Sequence, residues 1–260
     1  MKIFHLGDKL ENNEVIEIIL NIIKEIFMDI LLNNRKIDSK DIPMLQMLSE
    51  EELSMMSSSL EAQYVKKGET IFTSGHPADV MFILHEGVFK LSMPLTDGRE
   101  QIMYIFTSGD FVGGLNILSG DKYVYNAVCL ADSLIIKISS EDFRNVLLKN
   151  YDFLMVLIEQ CYERIRKSES LVDILSGINA DMKVAKLLIN FANLYGKVTK
   201  DGILLDLNIN REELGFYSGV TRETISRKLN QFEKAKIVRL LPKGNILIRK
   251  MDVLENIVSS

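Results

Sequence analysis

The sequence has only two cysteines, Cys129 and Cys161, in 260 residues. Two thiols exclude a disulfide framework and a four-cysteine iron–sulfur cluster within one chain. They fit a reducing cytoplasm, and the chain lacks the basic start and small-residue cleavage site of a secretory signal. Histidine is equally sparse, with three residues, His5, His76 and His85. No His-x-His pair occurs, which argues against a metal triad and so against a cupin-type enzyme. Gly-x-Ser-x-Gly and P-loop motifs are also missing, which removes the common hydrolase and nucleotidase signatures. The most apolar stretch, Val15 to Leu32, is interrupted by Glu17, Lys24, Glu25 and Asp29, a poor membrane span.

What is there is unevenly charged. The whole chain carries −5, yet Asp181 to Lys250 holds 14 basic against 7 acidic residues. An acidic body with a basic C-terminal quarter points that quarter toward a polyanion.

Residues 13–33 have apolar positions at helical spacing, and Ser49 with Glu52 predicts a capped helix over 49–60. From Tyr64 to Ile138 the pattern changes to short β-rich runs. Gly75, Gly87, Gly98, Gly109 and Gly120 punctuate them at intervals of 11 or 12 residues. Turns at that interval, without crossover helices, predict an antiparallel β-sandwich or roll. Helical spacing returns after Ser140. In the long stretch 154–175, Ile158, Ile165 and Val172 recur every seven residues, as do Leu154, Cys161, Ser168 and Leu175. That seam over three heptads predicts a dimerisation helix, the other reading being a helix packed on its own domain. Further helices are expected over 181–195, from Arg211 and from Thr221 to Lys236, with strands at 203–207 and 246–249.

The segment from Arg211 to Asn230 reads as a helix-turn-helix. Asn210 can cap the first helix, Gly219 supplies the turn and Thr221 can cap the second. At about 100° per residue, Ile225, Leu229 and Phe232 share an inward face. Arg222, Glu223, Ser226 and Arg227 occupy another arc near the N-terminal end, joined by Thr221 and Thr224. That end of a recognition helix enters the major groove of double-stranded DNA. Arginine can pair with guanine, and glutamate can accept from cytosine.

These residues resemble the DNA-binding domain of the CRP/FNR superfamily of bacterial regulators, whose recognition helix carries a signature like Arg222–Arg227. Upstream, Val65 to Phe72, Val80 to Leu91, Asp97 to Glu100 and Ser108 to Gly114 resemble its cyclic-nucleotide-binding β-roll. The resemblance covers about residues 45–250 and implies an α+β architecture: a helical extension (1–45), a β-roll sensor (46–150), a dimerisation helix (151–178) and a winged helix-turn-helix domain (179–260). It implies a homodimer that binds a palindromic operator with a TTGA- or TGTGA-like half-site and meets RNA polymerase. Ser218 and Lys228 depart from the pattern, standing where the family is often apolar.

The resemblance also locates an effector pocket at Gly113, Gly114, Leu115, Val124 and Tyr125. Nucleotide-binding members place a glutamate and an arginine there. Gly113-Gly114-Leu115 and Val124-Tyr125-Asn126-Ala127 supply neither, and an uncompensated phosphate in a buried pocket is costly. Cyclic AMP is therefore not expected. Cys129 and Cys161 read as core residues rather than a redox switch. Haem stays open, with His85, His76 or His5 as ligand, beside an unknown small-molecule or gas effector. A ligand-sensing scaffold that does not bind DNA is the remaining rival, and the basic C-terminal quarter argues against it.

Overall fold

The computed structural model describes residues 42–56 and 60–259. The helix expected over 13–33, and His5, lie outside the described residues. Ser49 and Glu52 form the expected capping box, each accepting the other's backbone N–H. The helix they start, α1, is described over Glu50–Met56.

Eight strands then build the roll. They are β1 (Glu61–Val65), β2 (Thr70–Phe72), β3 (Val80–Glu86), β4 (Val88–Pro94), β5 (Glu100–Thr107), β6 (Phe111–Val112), β7 (Asn126–Cys129) and β8 (Ser133–Ser139). They pair antiparallel in two four-stranded sheets, β1-β8-β3-β6 and β2-β7-β4-β5. Apolar side chains from both sheets, among them Ile83, Ile136, Phe89 and Cys129, fill one core. Cys129 is thus a buried packing residue, and burial pushes its thiol pKa up, away from the reactive thiolate.

The five regularly spaced glycines all have positive φ, so the interval seen in the sequence is the interval of the turns. Gly87 has the least freedom. It joins β3 to β4 at φ +111°, and a Cβ there would lie 2.2 Å from Ser133 Oγ and 2.8 Å from Ser133 Cα.

A short helix α2 (Gly114–Ser119), not expected from the sequence, interrupts the roll between β6 and β7. After β8, α3 (Ser140–Asn145) leads to the long helix α4 (Tyr151–Leu175). Asn150 caps α4, accepting from the Phe153 N–H at 2.9 Å. The helix therefore starts before the apolar repeat does. The C-terminal domain contains α5 (Ala180–Tyr195), β9 (Lys197–Thr199), β10 (Gly202–Leu205), α6 (Arg211–Ser218), α7 (Arg222–Lys234), β11 (Val238–Leu240), β12 (Ile246–Ile248) and α8 (Met251–Ser259). Its sheet runs β11-β12-β10-β9. The three-residue strands β9 and β11 and the helix α8 were not expected. Leu254 of α8 is fully buried in this second core.

The long helix divides its packing between the two cores. Phe153 and Leu157 enter the roll core, while Leu171 and Ile174 enter the C-terminal core. The roll also touches the second core directly through Val88, Ile102, Ile105 and Leu130. Gln101 Nε2 donates to Tyr217 O at 3.2 Å, and Tyr195 Oη donates to Ile105 O at 3.0 Å across this junction.

Gly87→Ala is expected to destabilise the protein by about 3 kcal/mol, combining left-handed strain with a backbone collision. Gly98 has φ +83° and nothing within 4 Å of its Cβ position, so Gly98→Ala should cost only about 1 kcal/mol. Equilibrium urea unfolding of both variants checks this; equal costs would mean that Ser133 yields.

Candidate nucleic-acid interface and sensor pocket

The helix-turn-helix is set by local contacts. Asn210 Oδ1 accepts from the N–H groups of Glu212 and Glu213 at 2.9 and 3.0 Å, and Glu213 Oε2 accepts from Asn210 N–H at 2.7 Å. This capping box starts α6. Gly219 ends it in the left-handed region, at φ 66°. Gly215 lies so close to the next turn that a Cβ would sit 2.6 Å from Val220 O. Thr221 then caps α7, its Oγ1 accepting from Thr224 N–H at 3.2 Å.

Ile225, Leu229 and Phe232 of α7 are buried with Leu214 and Tyr217 of α6. This leaves Thr221, Arg222, Glu223 and Arg227 exposed, with Thr224 and Ser226 half-buried beside them. The six residues form one arc around the first turns of α7. The Glu223 carboxyl is held below the usual carboxylate range by its own backbone N–H, then by the Thr221 hydroxyl. It is therefore an acceptor at neutral pH.

Both departures from the helix-turn-helix pattern have partners. Ser218 is fully buried, and its hydroxyl donates to Leu214 O at 2.7 Å, an intrahelical bond that lets a polar residue occupy an apolar site. Lys228 Nζ reaches Asp181 of α5 at 2.7 Å, tying the recognition helix to the start of the domain.

Outside the helix-turn-helix, α4 presents an apolar stripe to solvent. Ile158, Ile165 and Val172 are 57–65 % exposed, and Tyr162 and Met155 extend the row. The offset series Leu154, Cys161, Ser168 and Leu175 is half-buried at the edge of the stripe. Leu175 packs against the C-terminal core.

Between α4 and the roll lies a cavity of about 690 Å³. Leu115 and Tyr125, two of the five residues located by resemblance, line it. Gly113 and Gly114 are buried behind it, and Val124 is turned to solvent at 49 % exposure, outside the lining. A Cβ on Gly114 would meet Phe143 at 3.0 Å and Met81 Sδ at 3.1 Å, so a side chain there would press on both. The residues present do not fit the charged contacts of a cyclic nucleotide.

The cavity's polar wall was missed in the sequence. Tyr104, Arg164, Ser168 and Glu169 supply it. Tyr104 Oη and Ser168 Oγ are hydrogen-bonded at 2.7 Å. The i, i+4 spacing of Arg164 and Ser168, beside an apolar seam, was the available signal. His85 lines a separate cavity of about 210 Å³, and His76 is exposed in a turn outside it. That volume is below the roughly 300–1,000 Å³ of cofactor sites, and His76 does not line it. Among the described residues, no cluster of three His, Cys, Asp or Glu is placed to hold a metal ion.

Residues 62–150 match the cyclic nucleotide-binding domain family, and residues 182–257 match the Crp-like helix-turn-helix domain family. The chain belongs to the CRP/FNR superfamily of DNA-binding transcription regulators. Among this superfamily, the global nitrogen regulator of Synechococcus elongatus is 24 % identical over 70 % of this chain and 82 % of its own. The fumarate and nitrate reduction regulatory protein of Vibrio cholerae is 25 % identical over 80 % of this chain and 83 % of its own. The superfamily fold is shared with FixK2 of Bradyrhizobium japonicum, with TM-score 0.67, 22 % identity and coverage of 77 % and 98 %. A CooA mutant from Carboxydothermus hydrogenoformans gives TM-score 0.66 at 18 % identity, over 89 % and 95 %. This regulator has no described helix long and apolar enough to cross a membrane.

Thr221→Ala should lower the stability of the C-terminal domain by about 1 kcal/mol through loss of the cap. Ser218→Val should cost more, about 1–3 kcal/mol, by overpacking a closed site. Thermal unfolding monitored in the isolated variants of the full chain orders the two; the reverse order would show that the Ser218 site can expand.

Proposed function

We propose that this regulator binds, as a homodimer, a palindromic operator with a TTGA- or TGTGA-like half-site, under control of an effector held between the roll and α4. The observation that carries the reading is the bare apolar stripe of α4 on a chain that also exposes a capped Arg222–Arg227 arc. Burying the stripe against its copy in a second chain would remove three large β-branched side chains from water. At about 25 cal/mol per Å² of apolar surface this favours pairing. Two-fold pairing puts two recognition helices on successive major grooves, about 34 Å apart.

Arg222 and Arg227 then read guanines bidentately, Glu223 accepts from cytosine, and Ser226 and Thr224 reach neighbouring bases or phosphates. Thr221 holds the helix end that enters the groove. The basic C-terminal domain adds a sequence-independent, salt-dependent attraction. RNA polymerase is the partner through which a bound dimer acts. The effector is read as a small molecule, because the cavity between the roll and α4 has the size of a small-ligand site and the cassette at Gly113 to Leu115 carries no charged side chain for a cyclic nucleotide.

Arg222→Ala and Arg227→Ala should each weaken specific operator binding by about 1–3 kcal/mol in gel-shift competition. Unchanged specificity in both would defeat the residue assignment. Ile158→Asp with Ile165→Asp should give a monomer in sedimentation velocity that no longer holds a full palindrome. A dimer that survives both charges would place the interface elsewhere.

A further inference from the structure

The cavity between the roll and α4 contains a cation without a counter-ion. The Arg164 side chain leaves α4 and crosses to the roll, where Nη2 donates to Phe111 O at 3.1 Å. Its Nε is buried and has no acceptor. None of the ion pairs among the described residues includes Arg164. Asp110 attracts it from a distance without forming an ion pair, its carboxylate accepting from the Thr107 N–H at 2.8 Å. The guanidinium lies 5.4 Å from the Phe106 ring centroid, and Arg164 is the one cationic side chain among the residues that line the cavity. Burial pulls the Arg164 pKa down, the direction expected of a charge lacking a partner.

A guanidinium with a buried N–H that finds no acceptor is costly unless something else compensates its charge. The other walls limit what that can be. Tyr104, Tyr125 and Leu115 are largely apolar, Ser168 Oγ donates to Arg164 O at 2.9 Å and accepts from Tyr104 Oη, and Glu169 stands at the exposed rim. One cation faces an apolar body and an acidic rim. A group with two negative charges would be repelled by the rim, whereas a planar single carboxylate matches the guanidinium fork.

We propose that this cavity binds a small organic monocarboxylate, its carboxylate on Arg164 and its apolar body between Tyr104, Tyr125 and Leu115. The inference rests on the reading of the roll and α4 as the effector site and assigns the ligand class. It also gives the ligand a route to the rest of the molecule. Arg164 holds the Phe111 carbonyl just before the turn into α2, and Ser168 and Val172, further along the same helix, line the same cavity. A carboxylate that completes Arg164 therefore fixes α4 against the roll at the edge of the exposed stripe.

The test follows the Arg164 Nε–H resonance in ¹⁵N-labelled full-length protein, identified by its loss in Arg164→Lys. The probes are acetate, 3-phenylpropionate and its uncharged amide, 3-phenylpropionamide. Expected are saturable shifts with both carboxylates, with 3-phenylpropionate at least about tenfold tighter and reaching a low-millimolar Kd, and no shift with the amide. No saturable shift up to roughly 50 mM, far above that range, overturns the proposal, as does an equal response to the amide. Inorganic phosphate or cyclic AMP displacing 3-phenylpropionate at lower concentration overturns the assigned class. Operator affinity is measured on the same samples. Specific DNA binding without the resonance shift defeats the ligand class alone, and a resonance shift without specific DNA binding defeats the regulator reading alone.

Discussion

One 25-residue helix has to serve two hydrophobic cores, and most of the architecture follows from that constraint. At 1.5 Å per residue α4 is about 37 Å long, longer than either core is wide. Its first turns give Phe153 and Leu157 to the roll, and its last turns give Leu171 and Ile174 to the DNA-binding domain. Between them the helix has no core of its own to enter. There the wall is a cavity on one side and solvent on the other, with Arg164 and Ser168 facing the first, Ile158 and Tyr162 exposed to the second, and Ile165 and Val172 at the border, lining the cavity and exposed. The middle of α4 is therefore the part of the fold whose environment a ligand or a second chain can still change.

The second link between the domains is small by comparison. Val88, Ile102, Ile105 and Leu130 carry the roll into the C-terminal core, with hydrogen bonds at Tyr217 and Ile105. Burying an Ile, Val or Leu side chain fully is worth about 1.5–3 kcal/mol relative to exposure. Moving a two-state population from one arrangement to the other takes roughly 5.5 kcal/mol of differential binding. These two quantities are of the same order. A docking patch of four such side chains can hold the domains in one arrangement and still be overcome by ligand, partner chain and DNA acting together.

The parts of this fold that were legible in the sequence are those whose cause is local. The glycine interval marked the roll because each turn needs its own positive φ, and Asn210, Gly219 and Thr221 marked the helix-turn-helix because each cap acts within three residues. The strands β9 and β11 are three residues long and carry too little alternation to show a period. The helix α8 lies against α5 rather than against its chain neighbours, so its role depends on a distant element. The cavity was half legible for the same reason. Leu115 and Tyr125 belong to a contiguous motif, whereas Tyr104 and Arg164 are 60 positions apart and meet only once the roll closes and α4 crosses it. Ser218 and Lys228 looked like defects because their remedies, the Leu214 carbonyl and Asp181, are set by helix geometry and by packing against α5.

Those two remedies bear on how the recognition helix is held. Lys228 ties α7 to Asp181 in the first turn of α5, the element that directly follows α4. Before the start of α7, the Gly219 turn lies against the end of α4, a Cβ there falling 2.8 Å from Cδ2 of Leu175, the last residue of α4. The turn before the base-reading arc therefore rests directly on the end of the helix that passes the cavity and carries the stripe. Close-packed contacts of this kind transmit displacement because they have little free volume in which to absorb it. A change in how α4 sits against the roll would reach Gly219 through Leu175 and change the angle at which Arg222 and Arg227 leave the domain. In the proposed dimer, whose two helices would have to match grooves about one DNA turn apart, an angular change at each subunit would alter both half-sites together, and a cavity distant from the DNA would then select between a reading and a non-reading arrangement.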